Sequence, residues 1–359
     1  MPSERRNLWA RAGLVLISTL TALAGAEGVY RLSTDPPPGE GGDDDWYQRY
    51  RHMNESIYMR SPVEGLVYEP RPSSSVEMEY GVAGFDAEGR RSDGRTLDGA
   101  EARTHIVLLG DSLVWSEYVA VADSLPHQTE DALGPDQFRV SNFGVSGYDT
   151  HEERLYYEAR VRRHAADVVV VVFCMNDLFI ASGPYGRFAT DEERAQKDAQ
   201  DAMFDRVARV RRETLDGVAQ TEESEATFKL WARLASIYRR WAFEAHYVDE
   251  YTIAAADDAR LQRMGASLQR LGAAIRAEGA RAILVISPML ERWNDYPWDA
   301  MHVAVRAAGE AAGFAVADPL PAWRGHHSPE SLRSPGDNLH YSAAGNAVFG
   351  RFIAEVIRR

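Results

Sequence analysis

Residues 167–173 read DVVVVVF, five consecutive valines between an acid and a phenylalanine. β-Branched side chains are stiff at χ1 and favour extended backbone. An unbroken run of them offers no polar face to water, so a strand built from it must be covered on both sides. A parallel sheet between two layers of helices provides that cover. Four further short apolar runs fit the same sheet: HIVLL at 105–109, FRVSNF at 138–143, RAILVIS at 281–287 and FAVAD at 314–318. Helical patterns separate most of them. HEERLYYEARVRRH precedes the valine run, LQRMGASLQRLGAAIRAEG precedes the fourth strand and PWDAMHVAVRAAGEAAG the fifth. A last helix, from about Ala343, carries Val348, Phe349, Phe352, Ile353, Val356 and Ile357 on one stripe. The alternation predicts right-handed crossovers and a three-layer α/β/α sandwich around a five-stranded parallel sheet.

The rest of the 359 residues divides by composition. Residues 1–32 hold Arg5, Arg6 and Arg11 beside the apolar run AGLVLISTLTALAGA at 12–26, which fits a signal peptide or an N-terminal membrane anchor. Residues 33–45, rich in Pro, Gly and Asp, read as a linker. Residues 46–103 read as an irregular extension of loops and short strands. Residues 104–359 form the main domain, interrupted at about 185–255 by charged and aromatic helical segments that exceed one crossover. The chain is therefore expected outside the inner membrane, periplasmic or extracellular, or anchored by residues 12–30. A net charge of −14 argues against a general nucleic-acid binder. The single cysteine, Cys174, excludes an intramolecular disulfide and a Cys-rich zinc site. The pair His326–His327 lacks metal-site spacing, so no metal and no cofactor is expected.

In open α/β sheets, sites form beyond the carboxyl ends of the strands. After the first strand comes Gly110-Asp111-Ser112, after the second NFGVSG, after the third CMND, and after the fifth, beyond a loop, GDNLH. These polar clusters converge on one edge. A serine hydroxyl needs a base to become a nucleophile. His340 can serve Ser112 in that way, and Asp337, three residues earlier, can fix the imidazole tautomer. The backbone N–H of Ser112, that of Gly144 and the side-chain amide of Asn176 are candidate donors to an oxyanion.

These blocks resemble the SGNH (GDSL) hydrolase superfamily. GDSL at 110–113, NFGVSGYDT at 142–150, MND at 175–177 and DNLH at 337–340 follow the family's order. The resemblance puts the family's four letters on Ser112, Gly144, Asn176 and His340. It covers roughly His105 to the C-terminus, apart from the insertion. One departure is Cys174, where the family has glycine two residues before the asparagine. GLVYEPRPSSSV and GFDAEGRR, ahead of the first block, resemble an extension of exported bacterial members. The resemblance implies a serine esterase acting through an acyl-enzyme, with a small acyl group such as O-acetyl on a glycan. The partner would be an ester-bearing small molecule or polysaccharide. Two alternatives stay open: a glycan O-acyltransferase using the same residues, and a non-catalytic glycan-binding or assembly protein.

Overall fold

A computed structural model describes residues 50–92, 104–178, 185–195, 257–335 and 337–359. All belong to one compact unit made of residues 47–203 and 250–359. The segment read as signal or anchor, the linker and most of the helical insertion lie outside the described residues. Among the described residues, no helix is long and apolar enough to cross a membrane.

The N-terminal extension forms two antiparallel hairpins. β1 (Tyr58–Arg60) pairs with β2 (Tyr68–Pro70), and β3 (Ser74–Met78) pairs with β4 (Gly81–Phe85). The main sheet contains β5 (Thr104–Gly110), β6 (Phe138–Gly144), β7 (Val168–Phe173), β8 (Arg281–Ile286) and β9 (Ala315–Ala317). All are parallel, in the order β6-β5-β7-β8-β9. Every residue of β7 is buried, as its valines require. The predicted three-layer sandwich with a five-stranded parallel sheet is the observed one.

Five helices carry the crossovers and the C-terminus: α2 (Leu125–Leu133), α3 (Thr150–Tyr156), α4 (Asp258–Ala277), α5 (Asp299–Ala311) and α6 (Ala343–Arg358). A sixth, α1 (Ser112–Trp115), is a single turn after β5. α6 packs on α2, while α4 packs on both α3 and α5, giving one helical layer on each face. Where one continuous helix was expected at 151–164, α3 widens into a π turn at Tyr157–Val161 and ends in a 3₁₀ turn at Arg162–His164. Tyr156 and Tyr157, on either side of the change, are both buried.

Chain direction across the sheet reverses at β5. The chain moves from β5 outward to β6, then crosses back to β7 on the other side of β5. The carboxyl ends of β5 and β7 therefore border the crevice that such a reversal opens.

Candidate active site

Ser112 begins where β5 stops. Asp111 caps the short helix, its Oδ1 accepting from the Leu113 N–H at 2.9 Å while its backbone oxygen accepts from Trp115. That turn lifts Ser112 to the rim of the sheet, in surroundings that leave it only 5% exposed. Its own backbone N–H meets no acceptor among the described residues.

The imidazole arrives from a compact turn before α6. Asp337 Oδ1 accepts from the N–H groups of Leu339 at 2.7 Å and His340 at 2.9 Å, closing the turn on itself. Asp337 Oδ2 lies 2.7 Å from His340 Nδ1. His340 Nε2 lies 2.8 Å from Ser112 Oγ, although the two residues are 228 positions apart. An acid at Nδ1 keeps a proton there, which leaves Nε2 to accept from the serine. Burial works against a charge on His340, but the bond to Asp337 and the negative charge of Glu117 outweigh it and raise the imidazole to about 8. For Asp337, burial acts upward, yet the His340 bond and the two backbone donors bring it down to about 2.

The oxyanion side differs from the sequence expectation. The Gly144 N–H donates to Asn142 Oδ1 at 2.9 Å, so it is committed inside the protein. The glycine is needed for another reason: a Cβ there would stand 2.0 Å from the Trp115 nitrogen. Gly144 lets α1 press against the end of β6, and Asn142 ties the two together through its Nδ2 bond to the Val114 oxygen at 2.9 Å. The unengaged N–H of this loop is instead that of Gly147, which sequence reasoning passed over. Gly147 has φ of +81°, a conformation that favours glycine, and its N–H meets no acceptor among the described residues. The signal was present as the second glycine of NFGVSG, but only a backbone dihedral and a bond inventory separate the two glycines.

Ser146 orients that N–H. Its own N–H donates to Tyr58 Oη at 3.2 Å, its carbonyl accepts from Tyr68 Oη at 2.6 Å, and its Oγ donates to Glu117 Oε1. Both tyrosines belong to the β1–β2 hairpin. Arg91, at the end of the same extension, donates to the carbonyls of Trp115, Ser116 and Val119 and lies 4.6 Å above the Trp115 ring. The extension thus grips both loops that flank the serine. Asn176, in the turn after β7, donates one amide hydrogen to Asp111 Oδ2 at 2.6 Å; the second hydrogen meets no acceptor among the described residues.

Residues 108–268 match the model of the GDSL-like Lipase/Acylhydrolase family. Over that span the chain is similar to GDSL-like lipases and acylhydrolases. The match supports an ester hydrolase, and the matched span includes Ser112, Gly147 and Asn176 but stops before Asp337 and His340. Solved structures similar to it include a lipase/acylhydrolase from Enterococcus faecalis, at 17% identity and TM-score 0.40, covering 71% of this chain and 95% of that one. Another is a catalytic mutant of the acetylxylan esterase Axe2 from Geobacillus stearothermophilus, at 16% identity and TM-score 0.41, covering 70% and 94%. A third is the acetyl xylan esterase AlAXEase, at 13% identity and TM-score 0.38, covering 71% and 98%. No curated protein sequence matches the chain.

Beneath the GDSL serine lies a set of buried acids. Asp111, Glu153 and Asp177 are each pushed upward, first by burial; the charge of Asp111 adds to the shift of Glu153, and those of Glu153 and Asp111 to that of Asp177. Neither Glu153 carboxylate oxygen has a hydrogen-bond partner among the described residues. Such groups hold protons more readily than exposed acids do. Cys174 is buried and its thiol is raised well above the usual range, which removes the thiolate needed for a second nucleophile.

Proposed function

We propose that the GDSL domain hydrolyses a carboxylic ester through an acyl-enzyme on Ser112. His340 takes the Ser112 proton at Nε2 as Oγ bonds to the acyl carbon. The imidazolium then gives that proton to the departing alcohol oxygen as the ester C–O bond breaks. Water reverses the sequence and releases the acid. Asp337 holds the imidazole and its Nδ1 proton throughout. The N–H groups of Ser112 and Gly147 and the free amide hydrogen of Asn176 stabilise the tetrahedral oxyanion. The observation that carries this reading is the continuous chain from Ser112 Oγ to His340 to Asp337, at 2.8 and 2.7 Å.

The acyl group is small, an O-acetyl on an exported glycan. Support comes from the crowding at the nucleophile, where Ser112, Glu117 and Ser146 are all nearly fully buried. The export reading, to the periplasm or beyond it, rests on the arginines and apolar run of residues 1–32. A fluorophosphonate probe tests the nucleophile: Ser112 should be labelled in the wild type, and Ser112→Ala should take no label. Nitrophenyl esters of rising chain length test the pocket, with acetyl expected to exceed octanoyl in kcat/KM. The O-acyltransferase alternative would show itself as acetate release suppressed, and transfer favoured, when a glycan acceptor is supplied.

A further inference from the structure

The loop after α1 contains a second acid that the hydrolytic scheme does not use. Glu117 is 3% exposed and points inward between two residues with left-handed backbone, Ser116 at φ +62° and Tyr118 at φ +67°. Side chains with a Cβ adopt this region only at some cost, and strain of this kind gathers at functional sites. The carboxylate is fixed in place. Its Oε1 accepts from Ser146 Oγ and from Tyr50 Oη at 3.3 Å, and its Oε2 stands 3.7 Å from His340 Nε2. Arg91 braces the loop that carries it, through the carbonyls on either side.

A buried carboxylate is disfavoured unless a positive charge or good donors face it. The hydroxyls at Oε1 satisfy one oxygen. The other faces the nitrogen that becomes N–H when His340 takes up the serine proton. We propose that Glu117 is a positioning residue for acyl transfer, holding the His340 imidazolium from its Nε2 side while Asp337 holds it from Nδ1. This rests on the reading of His340 as the base for Ser112. The imidazole is then faced by Asp337 on its own turn, by Glu117 and the edge-on ring of Tyr118 from the loop after α1, and by Asp111 from the end of β5. The arrangement favours the charged imidazole in the transition state, and by the same attraction it protonates the resting base more readily.

Those two effects have opposite signs in one experiment. In full-length protein, Glu117→Gln keeps the side chain's shape and its Oε1 acceptor but removes the charge. The acid limb of kcat/KM for nitrophenyl acetate should move about one pH unit lower, while the alkaline plateau of kcat falls about tenfold and KM stays put. Glu117→Asp retains a carboxylate and should restore most of the limb position. Simple loss of packing would lower the plateau without moving the limb downward. NMR titration of the His340 ring in the wild type and in both variants reads the same shift without any turnover. If the ring titrates identically in Glu117→Gln and the wild type, the proposal is overturned. Absence of fluorophosphonate labelling at Ser112 in the wild type would instead overturn the esterase reading, and the ring titration would still judge Glu117. Should Glu117→Gln fail to fold by circular dichroism, Glu117→Asp decides: a limb displaced by as much as a unit there, with KM unchanged, overturns the assignment of the effect to charge.

Discussion

The imidazole flank of Ser112 is made by one short turn. Asp337 and His340 lie three residues apart, and one carboxylate both closes the turn and orients the ring. The oxyanion flank is assembled from three strand ends. Ser112 follows β5, Gly147 follows β6 and Asn176 follows β7. The first two of its loops are held from outside as well: Tyr58 and Tyr68 hold Ser146, and Arg91 holds the carbonyls after α1. A locally closed turn keeps its geometry wherever it is docked. A cradle gripped from outside keeps its geometry only while the grip lasts. The N-terminal extension therefore grips the oxyanion flank directly and reaches the imidazole flank only through Tyr50 and Arg91, which hold Glu117 and its loop.

The imidazole flank should give the largest losses. Ser112→Ala or His340→Ala should each lower kcat by about 10⁶, because members of such a unit act together. Steady-state turnover of nitrophenyl acetate checks this, and residual activity near the wild-type level in either variant breaks the comparison at its base. Asp337→Asn should cost about 10⁴ in kcat with the fold intact, since an amide at that place favours the wrong tautomer.

The oxyanion flank should lose less, and its glycines should part company. Asn176→Ala removes one donor and should lower kcat by about 10²–10³. Gly147→Ala, strained at φ +81°, should fall in the same range, with the damage mainly in kcat. Gly144→Ala should instead appear as lost stability, since its Cβ would meet the Trp115 backbone at 2.0 Å. Overpacking typically costs about 1–3 kcal/mol, and blocked backbone lies at the upper end. Parallel melts and kinetics decide the pair; a Gly144→Ala protein that melts normally but turns over a hundredfold slower would restore Gly144 as the donor.

This division also marks what the sequence could convey. The valine run specified the buried strand because burial on both faces is a local property of side-chain type. Asp337 and His340 were legible because their contact closes within one turn. Gly144 and Gly147 are indistinguishable in the sequence because a glycine packed against backbone and a glycine with a free N–H look alike in one dimension. The links of Tyr58 and Tyr68 to Ser146 span 88 and 78 positions, and no periodicity encodes them. Glu117 was unreadable for the same reason, since its value lies in facing a residue from the far end of the chain.

The grip of the extension predicts a smaller effect than loss of a donor. Tyr68→Phe removes the hydroxyl from the Ser146 carbonyl but keeps the buried ring, which still packs against Tyr58 at 5.5 Å and Tyr148 at 5.1 Å. A buried carbonyl left without its donor costs about 1–3 kcal/mol, shared between stability and the orientation of Gly147. kcat should fall about tenfold while the rate of fluorophosphonate labelling falls in step and KM is unchanged. An unchanged labelling rate would detach the extension from the oxyanion flank.

The smallest effect sets activity against stability within the imidazole flank. His340 must be neutral to accept the serine proton, and its imidazole is raised to about 8, so kcat/KM should climb as pH rises through about 8. The stability contribution runs the other way. A group raised in the folded state stabilises fully below its unfolded value of about 6.5 and loses that contribution as pH rises through its folded value. The shift corresponds to about 2 kcal/mol of unfolding free energy, given up across the interval in which the enzyme gains its base. Asp337, lowered to about 2, adds the acid side of the same pair: its contribution is present above about 4 and lost as pH falls through about 2. Urea melts at pH 6 and pH 9, compared with the same melts of Asp337→Asn, isolate this pair from the remaining titrating groups. The wild type should lose its excess stability over Asp337→Asn between those two pH values, in the interval where its own kcat/KM is still rising. A difference between the two proteins that stays constant with pH would mean the ion pair is not what raises the imidazole.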